Sequence, residues 1–412
     1  MNSETSILKS ASITVHSTLR IGNRFFKWVL GIYLVIAPIN WLPGISLTNY
    51  NILKTNVFIL LVLILLKDQV KKPTSFISIK GFIIILLSAV FAFFNAVDAS
   101  AMYSAIKDIT IPFLLIIIIY NYRGSGLELL NIFKWVVMIS IFISLLIVFS
   151  NLTGSFDLMS PDPWDNLFSN SGLGGYRTGW SNSLFLVVPF ILYYSKRVYG
   201  RYITLWSTIG VFVIMAAQFI SGGRAGLLAS FSSIILFATS DIRLLILYAV
   251  LMYFAFDYLQ SDYVYKQLRL EKNKSIVSYN EQDVDETSSY RMGGYIVGLE
   301  LFKSKPVLGY GFGQADVLTD KFGYHSDIHN VWLKRMVEGG VLFVGSLIFF
   351  FLHFSKQIVK INKSTPSNVS FYKALVIPAL LISFLEPNYM IGSVQGEAFF
   401  WVMVGFLLRN EN

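Results

Sequence analysis

The sequence predicts an all-α protein that crosses a membrane about twelve times and carries one long outer loop with an amphipathic helix. The 412 residues are 55% hydrophobic and only 14% charged, against roughly 25% charged residues in a soluble domain. Many apolar runs approach the ~20 residues that a helix needs to cross a bilayer. Lys and Arg concentrate in alternate short loops between those runs, which is typical of cytoplasmic loops.

The apolar runs predict a single integral membrane domain over 1–412. The predicted spans are residues 25–43, 50–66, 80–96, 101–120, 132–150, 179–195, 202–220, 225–239, 242–257, 331–354, 373–389 and 395–409. No small-residue cleavage site follows the first run, so we expect it to be retained as a helix. Placing the basic loops inside predicts that both termini are cytoplasmic.

The composition excludes several kinds of function. The chain has no cysteine, which excludes disulfides, thiolate metal sites and cysteine nucleophiles. The net charge of +9 lies mostly in short loops, so no nucleic acid partner is expected. The run GYGFG, 309–313, resembles a dinucleotide motif, but no preceding strand or βαβ unit is predicted. We interpret it as a tight loop that lets backbone segments pack closely, and we expect no cofactor.

Six ionisable residues lie within or at the ends of apolar spans, all toward the predicted outer side. They are Lys54, Lys107, Asp108, Arg224, Glu386 and Glu397. A charge inside a bilayer is costly, so each is a candidate for function, with interface anchors and internal ion pairs as the alternatives. Their shared placement predicts a polar site near the outer leaflet.

The segment 258–330 is the predicted long outer loop. Its first part, 258–289, is polar and is interpreted as solvated. The stretch SSYRMGGYIVGLELFKSKP, 288–306, begins with serine, ends at proline and has apolar residues at helical spacing. These apolar residues are Met292, Ile296, Leu299 and Phe302. The pattern predicts an amphipathic helix that lies in the outer interface among lipid headgroups.

Basic and titratable side chains gather in segments predicted at the outer face. They are Arg177 in GGYRTGWSN, Arg224 in SGGRAG, Arg291 in SYRMGG and His329 in DIHN. Three guanidinium forks would neutralise a diphosphate, and a histidine can accept a proton near neutral pH. Together they indicate transfer from a diphosphate leaving group to a hydroxyl. The structural alternatives are a helix cap, a headgroup anchor, a lipid-binding site and an ordinary loop cation.

The segment YHSDIHN offers a metal site as a further alternative. His325 and His329 are four residues apart with Asp327 between them, a spacing that occurs in zinc ligation. No further histidine falls in the predicted outer segments, so we expect no metal. His325, Asp327 and Asn330 are instead predicted to support His329 without contacting the substrate.

The ordered set of YRTGWSN, SGGRAGLL, a long outer loop with R…GLELFKSKPVLGYGFGQ, and HNVWLKRMVEGGVLFVG resembles the bacterial O-antigen polymerase and O-antigen ligase superfamily. The similarity covers roughly residues 170–350. In this chain SGGR replaces the serine-rich form that is more usual before the arginine. The first half of the chain is similar only in having generic spans.

The resemblance implies a glycosyltransferase of the bacterial inner membrane with a periplasmic active site. Its donor would be a glycan linked to undecaprenyl diphosphate, and its acceptor another glycan. Membrane lipids and a chain-length regulator protein are further expected partners. The family's functional positions correspond to Arg224 and Arg291, which would hold the diphosphate, and to His329, which would act as base or orient the acceptor hydroxyl.

Three functions remain open at this point: a polymerase of lipid-linked repeat units, a ligase that moves the glycan to lipid A-core, and a flippase or other transporter. A transporter would place polar groups near the midplane of two related halves, and we find no internal repeat. We expect a polymerase, because it must host two diphosphates and basic groups are in surplus. The surplus groups are Lys54, Lys107, Arg177, Lys334 and Arg335.

Overall fold

The computed structural model describes most of the chain as helices. The described residues are 24–37, 47–69, 90, 96, 98–122, 124–153, 177–220, 223–239, 241–258, 291–321, 328–386 and 394–409. Within these ranges the regular structure is helical and no β-strand occurs. The predicted all-α class is therefore confirmed.

The helices of the described ranges are numbered here in chain order. They are α1 24–36, α2 Leu47–Gln69, α3 Ala99–Tyr120, α4 Gly126–Thr153, α5 Arg177–Leu184, α6 Val187–Tyr199, α7 Leu205–Ile220, α8 Arg224–Ala238, α9 Arg243–Tyr258, α10 Arg291–Ser304, α11 Gln314–Lys321, α12 Val331–Ile361, α13 Pro366–Ser383 and α14 Val394–Leu407. Most predicted spans coincide with one helix. The predicted span 80–96 lies almost wholly outside the described residues.

The predicted span 179–195 is two helices rather than one, so this prediction was wrong. α5 ends at Leu184 and α6 begins at Val187. Pro189 has no amide hydrogen, so it cannot donate to the carbonyl of Phe185 four residues earlier. That carbonyl instead accepts from the Val188 N–H at 3.1 Å. The tighter turn separates the polar α5 from the apolar α6.

Two helices in the described ranges are long and apolar enough to cross a membrane. They cover Gly126–Phe149 and Val331–Ile361. The remaining apolar helices of the described ranges are shorter, such as Leu205–Phe219 and Ala225–Ala238. By length and composition, these helices support association with a membrane.

Polar contacts join several loops at one end of the helix bundle, which we call the basic end. Lys27 of α1 forms an ion pair with Glu128 of α4 at 3.0 Å. Arg409, just after α14, donates to the carbonyl of Gly124 at 2.6 Å. Loops that the sequence assigns to the same side of a membrane therefore meet at this end.

A chain of hydrogen bonds extends the basic end to α6 and α13. The Tyr193 hydroxyl donates to Asn368 Oδ1 at 2.9 Å. The Asn368 side chain donates to Asn362 Oδ1 at 2.7 Å, and Asn362 donates to the Leu407 carbonyl at 2.8 Å. The end of α6, the start of α13 and the end of α14 therefore lie together.

Aromatic side chains fill the centre of the bundle. Phe190 of α6 is fully buried and packs edge-on against Phe133, Phe371 and Phe399. Ring centroids separated by 5.9 to 6.5 Å fall within the range of favourable aromatic pairs. These contacts connect α4, α6, α13 and α14 into one core.

The described part of the predicted outer loop forms a small unit of its own, which we call the cap (residues 291–321 and 328–338). The cap comprises α10, α11 and the first two turns of α12. Its separate hydrophobic core consists of Leu301, Ala315, Leu318, Ile328, Leu333 and Val337. The prediction included α10 but missed α11.

The stretch predicted as an amphipathic helix is helical and forms α10. Met292, Ile296 and Leu299 are exposed, whereas Leu301 is buried in the cap core. Gly298 lies against Leu333 of α12. Three of the four apolar residues predicted to share a face are therefore exposed, where they could contact lipid headgroups and tails, whereas Phe302 packs against the cap core.

The GYGFG run is a tight loop, which confirms the interpretation made from the sequence. Gly309, Gly311 and Gly313 all have positive φ, at 66°, 105° and 72°. A side chain at Gly309 would overlap the backbone of Glu338, and one at Gly313 would overlap the backbone of Ala101. The loop therefore seats its backbone directly against α12 and α3.

α12 is interrupted where the GYGFG loop meets it. Gly340 has φ 64° and ψ −170°, which is not helical. The carbonyl of Val337 accepts from the Tyr310 N–H at 2.9 Å, and the Val341 N–H donates to the Pro306 carbonyl at 2.9 Å. The polar backbone groups that the break exposes are thus satisfied by the cap.

Candidate functional site

His329 lies at the entrance to α12, and its backbone carbonyl contacts α10. The Tyr295 hydroxyl of α10 lies 3.0 Å from the His329 carbonyl and 2.8 Å from the Phe384 carbonyl. One hydroxyl carries one proton, so it donates to one of these carbonyls at a time. Tyr295 therefore holds His329 between α10 and the end of α13.

The residues beside His329 start α12. Asn330 has an extended backbone, and its side chain accepts the Leu333 N–H at 3.0 Å, which makes it the N-cap. The Trp332 indole N–H donates to Ser383 Oγ at 2.7 Å. Asn330 thereby fixes the start of the helix that follows it, while its predicted support of His329 stays a prediction.

Arg291 is the first residue of α10. Tyr295 lies about one helical turn further on, and its hydroxyl reaches the His329 carbonyl. The backbone of Arg291 is therefore about one turn away from a residue that contacts His329.

Arg224 is the first residue of α8. α8 runs antiparallel to α13, since α13 begins at the basic end and α8 ends there, where Phe237 packs against Tyr202 just after α6. The Ser233 hydroxyl of α8 donates to the Ala374 carbonyl of α13 at 2.8 Å. Arg224 lies about nine residues, or ~13 Å, before Ser233.

Because the two helices are antiparallel, the corresponding position on α13 lies nine residues after Ala374, at Ser383. The first residue of α8 is therefore level with Ser383. Ser383 accepts from Trp332, and the next residue, Phe384, accepts from Tyr295. The backbones of Arg224 and His329 thus lie at the same end of the bundle, level with the end of α13.

Arg177 is the first residue of α5. One turn later, the Ser181 hydroxyl donates to the carbonyl of Gly223 at 2.8 Å. Gly223 directly precedes Arg224, so the helices that begin with Arg177 and Arg224 start side by side. The structure therefore gathers the backbones of the predicted site residues Arg177, Arg224, Arg291 and His329 at one end of the bundle.

The remaining predicted members of the site are not placed by the structure. His325 and Asp327 lie outside the described residues. Among the residues that the structure does describe, no group of histidine and carboxylate side chains could hold a metal ion.

Two cations that the sequence offered for a second diphosphate are engaged in ion pairs. Lys334 Nζ lies 2.7 Å from Asp316 Oδ2, and the Lys334 side chain is 7% exposed. Arg335 pairs with Glu338, and both side chains are almost fully buried. Both cations are already paired with carboxylates inside the cap. This corrects the prediction that they are available to substrate.

Two of the predicted intramembrane charges are described with their side chains. Lys54 of α2 and Glu386, just after α13, are each 6% exposed. Their side chains are therefore packed inside the protein rather than exposed on its surface. Lys107 and Asp108 lie within α3, and Glu397 lies in α14.

Glu338 was missed from the sequence although it lies inside a predicted span. Its Oε1 accepts the Gly313 N–H at 3.0 Å, and its Oε2 pairs with Arg335. An acidic residue followed by Gly339 and Gly340 within an apolar run was the available signal. Glu338 fastens the GYGFG loop to the break in α12.

Gln314 is a second residue that sequence reasoning missed. Its side-chain amide accepts the Asp98 N–H at 2.7 Å and donates to the Asp98 carbonyl at 2.8 Å. Asp98 is the N-cap of α3 and accepts from the backbones of Ser100 and Ala101. The hydrogen bonds from Ala101 and Ser100 hold the pKa of the Asp98 carboxyl below its ordinary value.

Comparison with known proteins adds no family to this description. No protein-family model and no curated protein matches the chain.

Proposed function

We propose that the protein is a membrane glycosyltransferase that moves a glycan from undecaprenyl diphosphate to an acceptor hydroxyl. The observation that supports the proposal is the convergence of four chain positions at one end of the bundle. Three of them are arginines, each at the first residue of a helix, and the fourth is His329. The resemblance of residues 170–350 to O-antigen polymerases and ligases supplies the substrate class.

The proposed reaction is a displacement at the anomeric carbon. His329 accepts the proton of the acceptor hydroxyl, and the hydroxyl oxygen forms a bond to the anomeric carbon. The bond from that carbon to the diphosphate oxygen breaks, and undecaprenyl diphosphate leaves with the electron pair. Arg224, Arg291 and Arg177 stabilise the negative charge on the leaving group.

The proposal includes the topology that the sequence predicts. About twelve spans place both termini in the cytoplasm and the cap in the periplasm of an inner membrane. The support is the clustering of basic loops at the end of the bundle opposite the cap. The exposed apolar stripe of α10 would then rest in the outer leaflet.

The acceptor has two candidates. A polymerase, which joins lipid-linked repeat units, remains our first candidate because Lys54 and Lys107 remain from the predicted surplus of cations for a second diphosphate. The ion pairs of Lys334 and Arg335 reduce the surplus of charge on which that choice rested. This observation favours the second candidate, a ligase with lipid A-core as acceptor.

The test of transfer is a reconstituted assay with purified protein and lipid-linked glycan. We expect His329→Ala to insert and fold normally but to lose transfer by about 10² to 10⁴-fold, because the base is absent. His353→Ala is the matched control, since His353 lies further along α12 and bonds Gln357. Full activity in His329→Ala, or an equal loss in both variants, would contradict the proposed role.

A chelator added to the same assay tests the metal alternative. Transfer should persist in strong chelator if the arginines alone stabilise the leaving group. Loss of transfer that Zn²⁺ or Mg²⁺ restores would instead support a metal site at His325, Asp327 and His329.

A deletion strain distinguishes the two acceptors. Loss of a polymerase should leave lipid A-core capped with a single repeat unit, because a separate ligase still acts on unpolymerised donor. Loss of a ligase should leave bare core, with long polymer on undecaprenyl diphosphate. Lipid-linked glycan that accumulates on the cytoplasmic side would point to a flippase instead.

A further inference from the structure

A buried polar network joins α5, α7 and α8 next to Arg224. Ser181, Gln218 and Ser230 are each fully buried. The Gln218 amide donates to the Ser181 carbonyl at 2.9 Å and accepts from the Ser230 hydroxyl at 2.8 Å. The Ser181 hydroxyl donates to the Gly223 carbonyl at 2.8 Å.

The network fixes the residue that precedes Arg224. The Gly223 N–H donates to the Gln218 carbonyl at 3.2 Å. The Gly223 carbonyl accepts both the Ser181 hydroxyl and the Leu227 N–H, the latter at 3.1 Å. Both backbone polar groups of Gly223 are therefore held by named partners, so the start of α8 has a defined position and direction.

α5 and α8 touch at their backbones beside this network. A side chain at Gly226 would overlap the carbonyl and hydroxyl of Ser181. The contact lies within one helical turn of Arg224, so small shifts of α5 are transmitted to the start of α8.

Apolar residues could pack these helices without buried hydrogen bonds. Polar side chains inside an apolar bundle must all be satisfied, and they are usually retained for a specific geometry rather than for stability alone. Here the geometry that they define is that of the chain at Arg224. Along α8, the Ser233 hydroxyl makes a similar bond to a carbonyl, about nine residues beyond that arginine.

We propose that Ser181 and Gln218 are positioning residues for Arg224. They hold the first turn of α8 so that the Arg224 guanidinium meets the diphosphate of the donor. This inference rests on the proposed function. A misplacement of ~1 Å in a group that stabilises a leaving group can lower the rate by about 10²-fold.

The test compares two serine-to-alanine variants of matched chemistry. Ser181 and Ser233 are both fully buried, and each donates to a backbone carbonyl at 2.8 Å. Ser181→Ala should lower transfer by about tenfold or more per folded molecule. Ser233→Ala should keep transfer within about twofold of the wild-type rate. It should lower thermal stability by about as much as Ser181→Ala does.

A double-mutant cycle separates positioning from general destabilisation. If Ser181 acts through Arg224, Ser181→Ala combined with Arg224→Ala should be no slower than Arg224→Ala alone. Ser233→Ala combined with Arg224→Ala should show independent effects. Gln218→Met, which removes the other half of the network at similar volume, should behave like Ser181→Ala. Folded protein is measured by gel filtration in detergent, so poor folding is not counted as lost catalysis.

The outcomes are distinguishable from failure of the proposed function. If wild-type protein shows no transfer, or Arg224→Ala retains it, the proposed function or the role of Arg224 fails, and the inference fails with it. If Arg224→Ala lowers transfer strongly while Ser181→Ala and Gln218→Met keep the wild-type rate, only the positioning inference fails. Additive losses in the Ser181 cycle would also overturn it. Binding of undecaprenyl diphosphate provides an independent readout, because both positioning variants should weaken it and Ser233→Ala should not.

Discussion

The cap and the bundle differ in the interactions that stabilise them. The bundle core is a continuous set of aliphatic and aromatic side chains around residues such as Phe190 and Trp401. The cap has a core of six buried apolar residues. It is joined to the bundle by hydrogen bonds from Tyr295 to Phe384 and between Gln314 and Asp98, and by Phe312, Val331 and Trp332, which pack in the bundle core.

This difference determines which region can unfold locally. Apolar packing spreads stability over many contacts, so a bundle helix cannot loosen alone. A cap with a small core, joined to the bundle by a few hydrogen bonds and three apolar side chains, can open locally when one of these contacts is lost. His329 lies in the cap, whereas Arg224 lies in the bundle. The two parts of the proposed site are therefore brought together by the contacts between cap and bundle.

The largest effect is expected from breaking the buried ion pair of the cap. Glu338→Ala leaves Arg335 buried without its carboxylate partner, which should cost about 3–5 kcal/mol. Hydrogen exchange should accelerate in α10, α11 and the first turns of α12 and stay slow in α6 and α8. The variant Arg335→Met with Glu338→Gln removes both charges and should recover most of the protection. Equal acceleration in cap and bundle would show that the two regions are one cooperative unit.

Shortening a buried side chain in the bundle should accelerate hydrogen exchange in the bundle rather than in the cap. Leu192 of α6 is fully buried, and Leu192→Ala should cost about 2–5 kcal/mol through lost transfer energy and a cavity. The loss should appear as a lower melting temperature and faster exchange throughout the bundle helices. Faster exchange in α6 alone would show that the bundle helices unfold independently, which would contradict the cooperative stability expected of the bundle.

A smaller effect is expected from the tyrosine between the two regions. Tyr295→Phe removes the hydroxyl shared by the His329 and Phe384 carbonyls and should cost about 1 kcal/mol. The matched variant in the bundle is Tyr248→Phe, which removes one bond to the Ser207 carbonyl. Exchange near residues 328–333 should increase only for Tyr295→Phe. An increase of the same size there for Tyr248→Phe would contradict a local fastening role.

The smallest effect should come from acid. Because the folded-state pKa of Asp98 lies below its ordinary value of 3.8, the stabilisation is present above that value and is lost as the pH falls through the folded pKa. Wild-type protein should therefore lose stability relative to Asp98→Ala below about pH 4. The measurement is the difference between their melting temperatures from pH 6 downward. A constant difference would exclude this carboxylate as a contributor.

Hydropathy predicted most helices of the bundle, because the length of an apolar run in the sequence matches the length of the helix that it forms. The run predicted at 101–120 is the helix Ala99–Tyr120, and 225–239 is Arg224–Ala238. The error at 179–195 arose because Pro189 interrupts hydrogen bonding without lowering the hydropathy. Apolar content predicts burial, whereas the break depends on one missing amide hydrogen.

The fastening of the cap could not be predicted because its partners are far apart in sequence. Gln314 and Asp98 are separated by 216 positions, and neither is unusual in its local context. Ser181 and Ser230 carry no charge, so they gave no signal within an apolar sequence. The predicted site residues were identifiable because arginine and histidine are conspicuous there. How the elements that carry them meet is known only from the fold.

The break at Gly340 also sets the thickness of membrane that α12 matches. An unbroken helix of 31 residues would be ~46 Å long, well beyond a hydrocarbon core of ~30 Å. The stretch after Gly340, about 21 residues long, rises ~32 Å. A thinner bilayer would tilt this segment, and a thicker bilayer would thin locally around it. Because the turns before the break are anchored to the cap, such mismatch would be absorbed below Gly340 rather than at His329.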